Sequence, residues 1–406
     1  MHLASVWSFG VNDAQEIAEK TYFVPAFANV IACETSEGLV LIDTGPPHFA
    51  SEIRDAVRKK TKAPLHTVIF THGHIDHALG LRPWLEEGRP RVVAHRAVLE
   101  RFDRYQRMTG LNEHVNRTQF SLEQLRWPRN YPTPDQVYDD RLDLTIGGET
   151  FALRHGKGET DDATWVWIPK RKVVCTGDFW IGCAPNCGNP QKVQRYAEAW
   201  ADVLEAMAAF EPELLLPGHG PLMKGKEEIR TALHDTSRYL RSIVSQVIEG
   251  LNAGKRHEEI VASVVIPKDL VEKPYLQPLY DRPEFIARNV LRLYSGWWSG
   301  FASELLPAAP EKRAQEIAAL AGGVDALVAR AKKVAETDLS LACHLVEWAT
   351  LADPNSVAAN EAAQDIFHRR GEGESSLMGR SIFERAARDA EKRLLIAKGE
   401  VPPPSV

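Results

Sequence analysis

The stretch Thr71-His72-Gly73-His74-Ile75-Asp76-His77 decides how the rest of the chain is interpreted. It places three imidazoles and a carboxylate directly after an apolar run, residues 67–70, that is typical of a buried strand. Side chains of an extended segment alternate in direction, so His72, His74 and Asp76 can face one side and His77 another. Zinc prefers imidazole and carboxylate ligands, and two ions about 3.5–4 Å apart can share one water. The stretch therefore predicts a site for two metal ions rather than a histidine-rich surface loop.

Length and composition predict a soluble globular protein with two domains. The 406 residues exceed the usual size of one hydrophobic core, and 44% of them are apolar. There is no run of about 18 apolar residues to predict a membrane span, and the first 15 residues do not resemble a signal peptide. A formal net charge of −6 predicts no binding to nucleic acid. The five cysteines are sparse and odd in number, which favours free thiols and a cytoplasmic location.

Apolar runs and turns predict the elements that precede and follow this stretch. Residues 21–24, 29–33 and 39–42 indicate an antiparallel meander that ends at Asp43, a residue able to hydrogen-bond the histidine stretch. Helices are predicted over residues 48–60 and 97–108. The arginines of the second helix are interpreted as a solvated face. Residues 110–140 lack periodicity and are predicted to form a long loop that makes one wall of the substrate pocket.

Three further predicted strands end in residues that can bind metal. Residues 150–153 lead into the cluster from His155 to Asp162, which contains Glu159. Residues 172–175 lead to Thr176-Gly177-Asp178, and a carboxylate at that sheet edge can bridge two ions. Residues 214–216 lead to His219, which lies between two glycines that allow close approach. Four strand ends that present histidine, aspartate or glutamate predict one shared site.

With these four segments in view, residues 18–222 resemble the metallo-β-lactamase superfamily, above all in the HxHxDH stretch. The resemblance implies an αββα sandwich with metal ions at one sheet edge. It implies that one ion is bound by His72 and His74 and the other by Asp76, His77 and His219, with Asp178 between them. Glu159 stands where the superfamily usually has a histidine, and a glutamate there is similar to the alkylsulfatase branch. Glu159 is therefore expected to bind the first ion.

The second half of the chain resembles the same branch. Residues 289–300, Asn-Val-Leu-Arg-Leu-Tyr-Ser-Gly-Trp-Trp-Ser-Gly, are similar to the start of its dimerisation domain. An apolar stripe of Leu341, Ala342, Leu345, Val346 and Ala349 predicts a packed helix. The expected architecture is a catalytic domain over residues 1–236 and an all-α helical dimerisation domain over residues 237–400. A homodimer is expected, with Tyr294, Trp297 and Trp298 near its interface.

The predicted activity is hydrolysis of an organic (alkyl) sulfate ester by a metal-bound hydroxide, with two zinc or other divalent ions as cofactors. Asp76 and Asp178 are predicted to orient the water. The predicted helices are followed by a short segment with Pro402-Pro403-Pro404 and not by the lipid-carrier-like third domain common in this branch, so a small or medium substrate is expected. The predicted substrate contacts are two aromatic residues, two asparagines and two arginines, namely Tyr131, Trp180, Asn186, Asn189, Arg195 and Arg288.

Other functions stay open at this point. The same site can serve a carboxylic ester, a lactone or a phosphoester, because the branch has glutamate at the bridging position where this chain has Asp178. The branch's sulfate-contacting arginine and histidine also have no clear match in residues 179–196 or 285–289. An iron-dependent oxidoreductase is a further alternative, since this ligand set also suits iron. A non-catalytic binding module would not need a full ligand set.

Overall fold

The structure, a computed structural model, describes residues 3–400. The proline run at residues 402–404 and the first two residues of the segment searched for a signal peptide lie outside those residues. Residue contacts divide the chain into two units. The first unit contains the described residues up to Asn112 together with Arg126–Trp297, and the second contains Glu113–Leu125 and the described residues from Trp298 onward. The limits predicted from the sequence, 1–236 and 237–400, stay predictions.

Seven strands of the first unit form a mixed sheet whose order follows the chain. They are β1 (Gln15–Ala18), β2 (Thr21–Val24), β3 (Val30–Thr35), β4 (Gly38–Ile42), β5 (Leu65–Ile69), β6 (Arg91–His95) and β7 (Gln136–Tyr138). The first four strands are antiparallel neighbours, so the predicted meander is confirmed, while β4 to β7 pair in parallel. Parallel pairing brings the carboxyl ends of β4 and β5 to the same edge, where Asp43 and the histidine stretch follow them.

Six strands form the second sheet, in the order β13-β12-β11-β10-β9-β8. They are β8 (Arg141–Ile146), β9 (Glu149–His155), β10 (Thr164–Ile168), β11 (Val173–Gly177), β12 (Leu214–Pro217) and β13 (Met223–Lys224). Strands β8 to β11 are antiparallel, and β12 runs parallel to β11 with Gly177 opposite Pro217. The parallel pair explains why Asp178 and His219, which follow these two strands, lie at one edge.

Helices cover the sheets and build the second unit. They are α1 (Ala50–Arg58), α2 (Ile75–Ala78), α3 (Ala97–Arg107), α4 (Thr109–Phe120), α5 (Ala197–Ala208), α6 (Lys226–Asn252), α7 (His257–Ser263), α8 (Lys268–Val271), α9 (Pro283–Tyr294), α10 (Pro310–Ala321), α11 (Val324–Val334), α12 (Leu339–Ala352), α13 (Val357–Glu372) and α14 (Leu377–Ala397). Short 3-10 helices lie at Leu3–Ser5, Pro47–Phe49, Leu79–Glu86, Pro169–Arg171, Pro274–Leu276 and Ala302–Glu304.

Two apolar layers hold the first unit together. Ile42 and Ile69 of the first sheet pack with Leu153 and Val166 of the second, between the sheets. The outer face of the second sheet packs against helices α5, α6 and α9, with the large Trp200 fully buried in this layer. Helix α1 buries Ile53, Ala56 and Val57 beside β2. Burial of apolar surface in each layer stabilises the folded state by about 25 cal/mol per Å². This arrangement is the predicted αββα sandwich.

The prediction that residues 110–140 form one irregular loop is wrong. Thr109–Phe120 is helix α4, and Gln136–Tyr138 pairs with β6 as the last strand of its sheet. Helix α4 buries Val115 but also the polar side chains of Asn116, Thr118 and Gln119. A buried face made largely of polar residues leaves no apolar period of 3.6 in the sequence, so the pattern that predicts a helix is absent.

The second unit is all-α. Three of its helices begin at a side chain that accepts from a backbone N–H of the first turn, namely Asp338 for α12, Ser356 for α13 and Ser376 for α14. Its core is built from small and medium residues such as Ala342, Val346, Ala363 and Ile366. Leu341, the first residue of the predicted apolar stripe, lies outside this core, and its side chain is 46% exposed. Within residues 3–400, no helix combines the length and apolarity needed to cross a bilayer.

Candidate metal centre

Two carboxylates from distant segments hold the backbone of the histidine stretch. Thr71 donates to both oxygens of Asp43, from its backbone N–H to Oδ1 and from Oγ1 to Oδ2, each at 2.7 Å. The backbone N–H of Gly73 donates to Asp162 Oδ2 at 2.9 Å. A Cβ on residue 73 would lie 2.9 Å from the side chain of Arg101 and 3.0 Å from Asp162, so this close approach requires glycine. The first residues of the histidine stretch are therefore held by contacts with the rest of the first unit.

Six side chains form two adjacent groups with convergent ligand atoms. The first group is His72, His74 and Asp178, and the second is Asp76, His77 and His219, with the ligand atoms of each group within 4.8 Å of one another. In the first group, His72 Nε2 lies 2.8 Å from His74 Nδ1. In the second, His77 Nε2 lies 3.2 Å from His219 Nε2 and His219 Nε2 lies 3.5 Å from Asp76 Oδ2. Both groups are the size of a metal site.

Asp178 lies between the two groups. Its Oδ1 is 3.5 Å from His77 Nε2, and its Oδ2 is 3.5 Å from His72 Nε2 and 3.4 Å from His219 Nε2. Oδ1 is buried and has no hydrogen-bond partner within the described part of the chain. A Cβ on residue 218 would approach Asp178 Oδ1 to 2.4 Å, which explains the glycine before His219. The structure thus brings a carboxylate from β11 to the boundary shared by both groups.

The hydrogen bonds of three of the four histidines turn Nε2 of each ring toward the centre. His72 Nδ1 contacts Thr71 Oγ1 at 3.0 Å, His77 Nδ1 donates to Asp43 Oδ2 at 2.7 Å, and His219 Nδ1 donates to the carbonyl of Phe27. These partners select the tautomer in which Nε2 carries the free lone pair. Trp7 stacks on His219 with ring centroids 4.4 Å apart and holds the plane of that ring.

The electrostatics of the site suit bound cations. Burial, with the ring of His77 beside it, lowers the pKa of His72 to about 4. Burial also lowers the pKa of His77, but Asp178, Asp43 and Asp76 outweigh it and raise that pKa to about 10. Burial raises the pKa of Asp178, yet His219, His77 and His72 hold it well below its usual value. Without a cation, the carboxylates need protons on the rings for balance, and a divalent ion takes the place of those protons. The residues present fit such ions.

Glu159 lies beside the first group. Its Oε1 is 4.0 Å from His74 Nδ1, accepts from Asn186 Nδ2 at 2.6 Å and pairs with Arg195 Nη1 at 2.7 Å. Burial raises its pKa to about 7, against the lowering effect of Arg195. His155, the nearest histidine in the sequence, instead stacks on His95 with centroids 3.7 Å apart.

The six predicted substrate contacts are not all near the two groups. Asn186 and Arg195 are buried and contact Glu159. Trp180 packs with Tyr275 in the core outside the second sheet, and Asn189 accepts from the backbone N–H of Gln191. The hydroxyl of Tyr131 donates to the carbonyl of Pro128, and Arg288 forms an exposed ion pair with Glu258 at 2.6 Å.

One residue near the site was misinterpreted from the sequence. Arg101 was expected on a solvated face, but it is buried, donates from Nε to Asp162 Oδ1 at 2.9 Å and also pairs with Asp161. Burial lowers the pKa of Arg101, but Asp162 outweighs this and keeps it charged. Its neighbours Arg104 and Arg107 are less buried, so the run of arginines does not by itself indicate which of the three is buried. The helical position of Arg101 next to the buried Phe102 and Tyr105 was an available signal.

Comparisons with known proteins agree with this architecture. The family model of the metallo-beta-lactamase superfamily matches residues 23–219, and that of alkyl sulfatase dimerisation matches residues 256–393. A linear primary-alkylsulfatase from a Pseudomonas species is 24% identical, over 89% of this chain and 74% of that protein. An (R)-specific secondary-alkylsulfatase, also from a Pseudomonas species, is 24% identical over 91% of this chain and 61% of that protein.

The fold of a solved relative matches along almost the whole chain. The structure of a stereoselective inverting sec-alkylsulfatase from Pseudomonas sp. gives a TM-score of 0.85 at 22% identity, covering 96% of this chain and 66% of that chain. The chain thus spans from 61% to 74% of the length of these three relatives. With both family models matched in sequence order, the chain belongs to the metallo-beta-lactamase superfamily, in the branch that carries an alkyl sulfatase dimerisation region.

Proposed function

We propose that this chain is a metal-dependent hydrolase of organic (alkyl) sulfate esters. The observation that carries the proposal is the pair of ligand groups around Asp178, with Glu159 and the buried Arg195 beside them. The similarity to alkylsulfatases over most of the chain supports a sulfate ester as the substrate. In the net reaction, water adds to the ester, and the products are an alcohol and inorganic sulfate.

We propose that the site holds two zinc ions. His72, His74 and Glu159 would hold one ion, Asp76, His77 and His219 the other, and Asp178 would contact both. Divalent ions so held supply Lewis acidity, which lowers the pKa of water toward neutrality and polarises the ester. The donor set of imidazoles and carboxylates is the one zinc prefers.

The side chains of the protein orient the reactants. The carboxylates of Asp76 and Asp178 accept hydrogen bonds and so direct an attacking water. Asp43 and the carbonyl of Phe27 keep His77 and His219 in one tautomer. Arg195 Nε is buried and has no hydrogen-bond partner among residues 3–400, so it is available to donate to an oxygen of the sulfate group. A guanidinium is suited to this because it stays charged when buried.

We propose that residues 237–400 drive homodimerisation. The matched dimerisation model and the exposure of Tyr294, Trp297 and Trp298 support this, because exposed aromatic residues are enriched at interfaces. We also propose a cytoplasmic location, which fits the five free cysteines.

The test of this function combines metal analysis with a substrate panel. Protein purified without added metal should contain about two zinc ions per chain, as expected for a dinuclear site. Alkyl sulfates of graded chain length should be hydrolysed with a higher kcat/KM than matched phosphate and carboxylic esters or lactones. Iron in place of zinc, or activity confined to another ester, would refute the proposal.

A matched pair of histidine variants separates a metal site from a general effect of lost histidine. His219→Ala should lose one ion and nearly all activity. The ring of His155 stacks on His95 and belongs to neither group, so His155→Ala should keep both ions and its activity. Equal metal loss in the two variants would contradict the assignment.

A further inference from the structure

We propose that Asn289 is a positioning residue of the metal centre, acting through Arg195 on Glu159. Asn289 belongs to helix α9, which lies inside the segment matched by the dimerisation model but also inside the first unit. The proposal therefore assigns part of that segment to the hydrolytic site. It rests on the proposed function in one respect, that Glu159 binds metal.

Asn289 clamps the backbone of Arg195 from both sides of the residue. Its Oδ1 accepts from the backbone N–H of Arg195 at 3.3 Å, and its Nδ2 donates to the carbonyl of Arg195 at 2.8 Å. Arg292, one turn further along α9, donates to Asn289 Oδ1 at 2.8 Å and so fixes the orientation of the amide. Asn289 is buried, and replacing it with an apolar residue would leave the backbone N–H of the buried Arg195 without its partner. The carbonyl of Arg195 would keep one donor, Gln194 Nε2 at 2.7 Å.

The loop that carries Arg195 is attached to the same part of the chain at further points. The backbone N–H of Gly188 donates to Asp281, and that of Ala184 donates to the carbonyl of Gln277 at 3.0 Å. A Cβ on residue 188 would lie 2.2 Å from the backbone of Ile286, so the loop touches the first turn of α9 directly. The loop thus takes its shape from α9 and the residues before it.

Arg195 connects this loop to the metal centre through Glu159. Its Nη1 pairs with Glu159 Oε1 at 2.7 Å and also donates to the carbonyl of Asn186, whose side chain donates to the same carboxylate. Glu159 and Arg195 are both buried, and a buried carboxylate that loses its cation is destabilised unless it gains a proton or moves toward water. A backbone shift at Arg195 therefore displaces Glu159 from His74.

The first measurement is metal retention, followed by competition with a chelator of known affinity. Asn289→Ala should bind one of the two ions about 10-fold more weakly, at the low end of the effect of groups that orient metal ligands. Asn360→Ala is the matched control. Asn360 is also fully buried, and its amide donates to the carbonyls of Pro354 and Ser356 at 2.9 Å, but it lies in the second unit. It should lower the Tm and leave metal retention unchanged.

The second measurement is a double-mutant cycle, which distinguishes an effect of Asn289 through Arg195 from a general loss of stability. If Asn289 acts through Arg195, Asn289→Ala should add little further loss of metal retention in an Arg195→Ala background. If Asn289→Ala does not fold, Arg292→Ala replaces it, because Arg292 is exposed and its loss should weaken retention roughly 3-fold through the same amide.

The outcomes separate this inference from the proposed function. Wild-type retention in both the Asn289 and Arg292 variants, or additive losses in the cycle, would overturn the role of Asn289. A wild-type protein that hydrolyses no sulfate ester would overturn the proposed function, and the chelator measurements would still decide the role of Asn289.

Discussion

Replacing Arg101 with methionine should destabilise the first unit and loosen the histidine stretch. Methionine has a similar length and helix propensity, so the change removes the charge with little effect on helix α3 itself. Arg101 is 2% exposed and its partner Asp162 is fully buried. The variant would therefore leave a buried carboxylate without its guanidinium.

The expected loss follows from that burial. Removing one partner of a buried ion pair costs about 3–5 kcal/mol. The backbone N–H of Gly73 still donates to Asp162, so we expect about 3 kcal/mol, the lower end for such pairs. Although burial raises the pKa of Asp162, Arg101 and His72 hold it below its usual value. The pair therefore stabilises the folded state at neutral pH, and this contribution is lost as the pH falls below about 4.

The assay is urea unfolding of the metal-free protein, with metal content measured separately. Arg107→Met is the matched control, since Arg107 lies on the same helix, is 77% exposed and contacts Asp103 at 3.5 Å. It should change stability by less than about 0.5 kcal/mol. Adding Asp162→Asn to Arg101→Met should recover much of the loss, because no uncompensated charge then remains. Equal effects of the Arg101 and Arg107 variants would refute this reasoning.

Three further predictions concern other parts of the molecule. Glu159→Gln should lower the occupancy of one metal ion, and full occupancy in that variant would contradict its role as a ligand. Trp297→Asp should convert a homodimer to monomer in light scattering at micromolar concentration, while a wild-type monomer would contradict the dimer. Burial raises the pKa of Asp281 to about 7. Between about pH 4 and 7 this carboxyl is therefore protonated in the folded state and ionised in the unfolded chain, so the free energy of unfolding decreases as the pH rises through this range. Asp281→Asn should flatten that pH dependence of the Tm, and an unchanged slope would contradict it.

The sequence was sufficient where one local pattern determines one element. The alternation of residues 21–42 predicted the meander, and the apolar positions of residues 48–60 predicted helix α1, because the period of an amphipathic segment depends on its own residues. The same logic failed for helix α4, whose buried face is polar.

The ligand residues of the candidate site also differ in how far the sequence alone could predict them. His72, His74, Asp76 and His77 are neighbours in the chain, so their chemistry was visible before any fold was known. Asp178 and His219 follow strands, and the parallel pairing of β11 and β12 explains why two strand ends 40 residues apart meet.

The sequence by itself determined the types of ligand, the class of fold and the helical nature of the C-terminal part. The tertiary structure decided which arginines are charged partners inside the molecule: Arg101 is buried against Asp162 and Arg195 against Glu159, while Arg288 is exposed. Asn289 contacts Arg195 from 94 residues away. The physical reason is that burial and pairing depend on what packs against a side chain, and those neighbours come from segments that no local pattern connects.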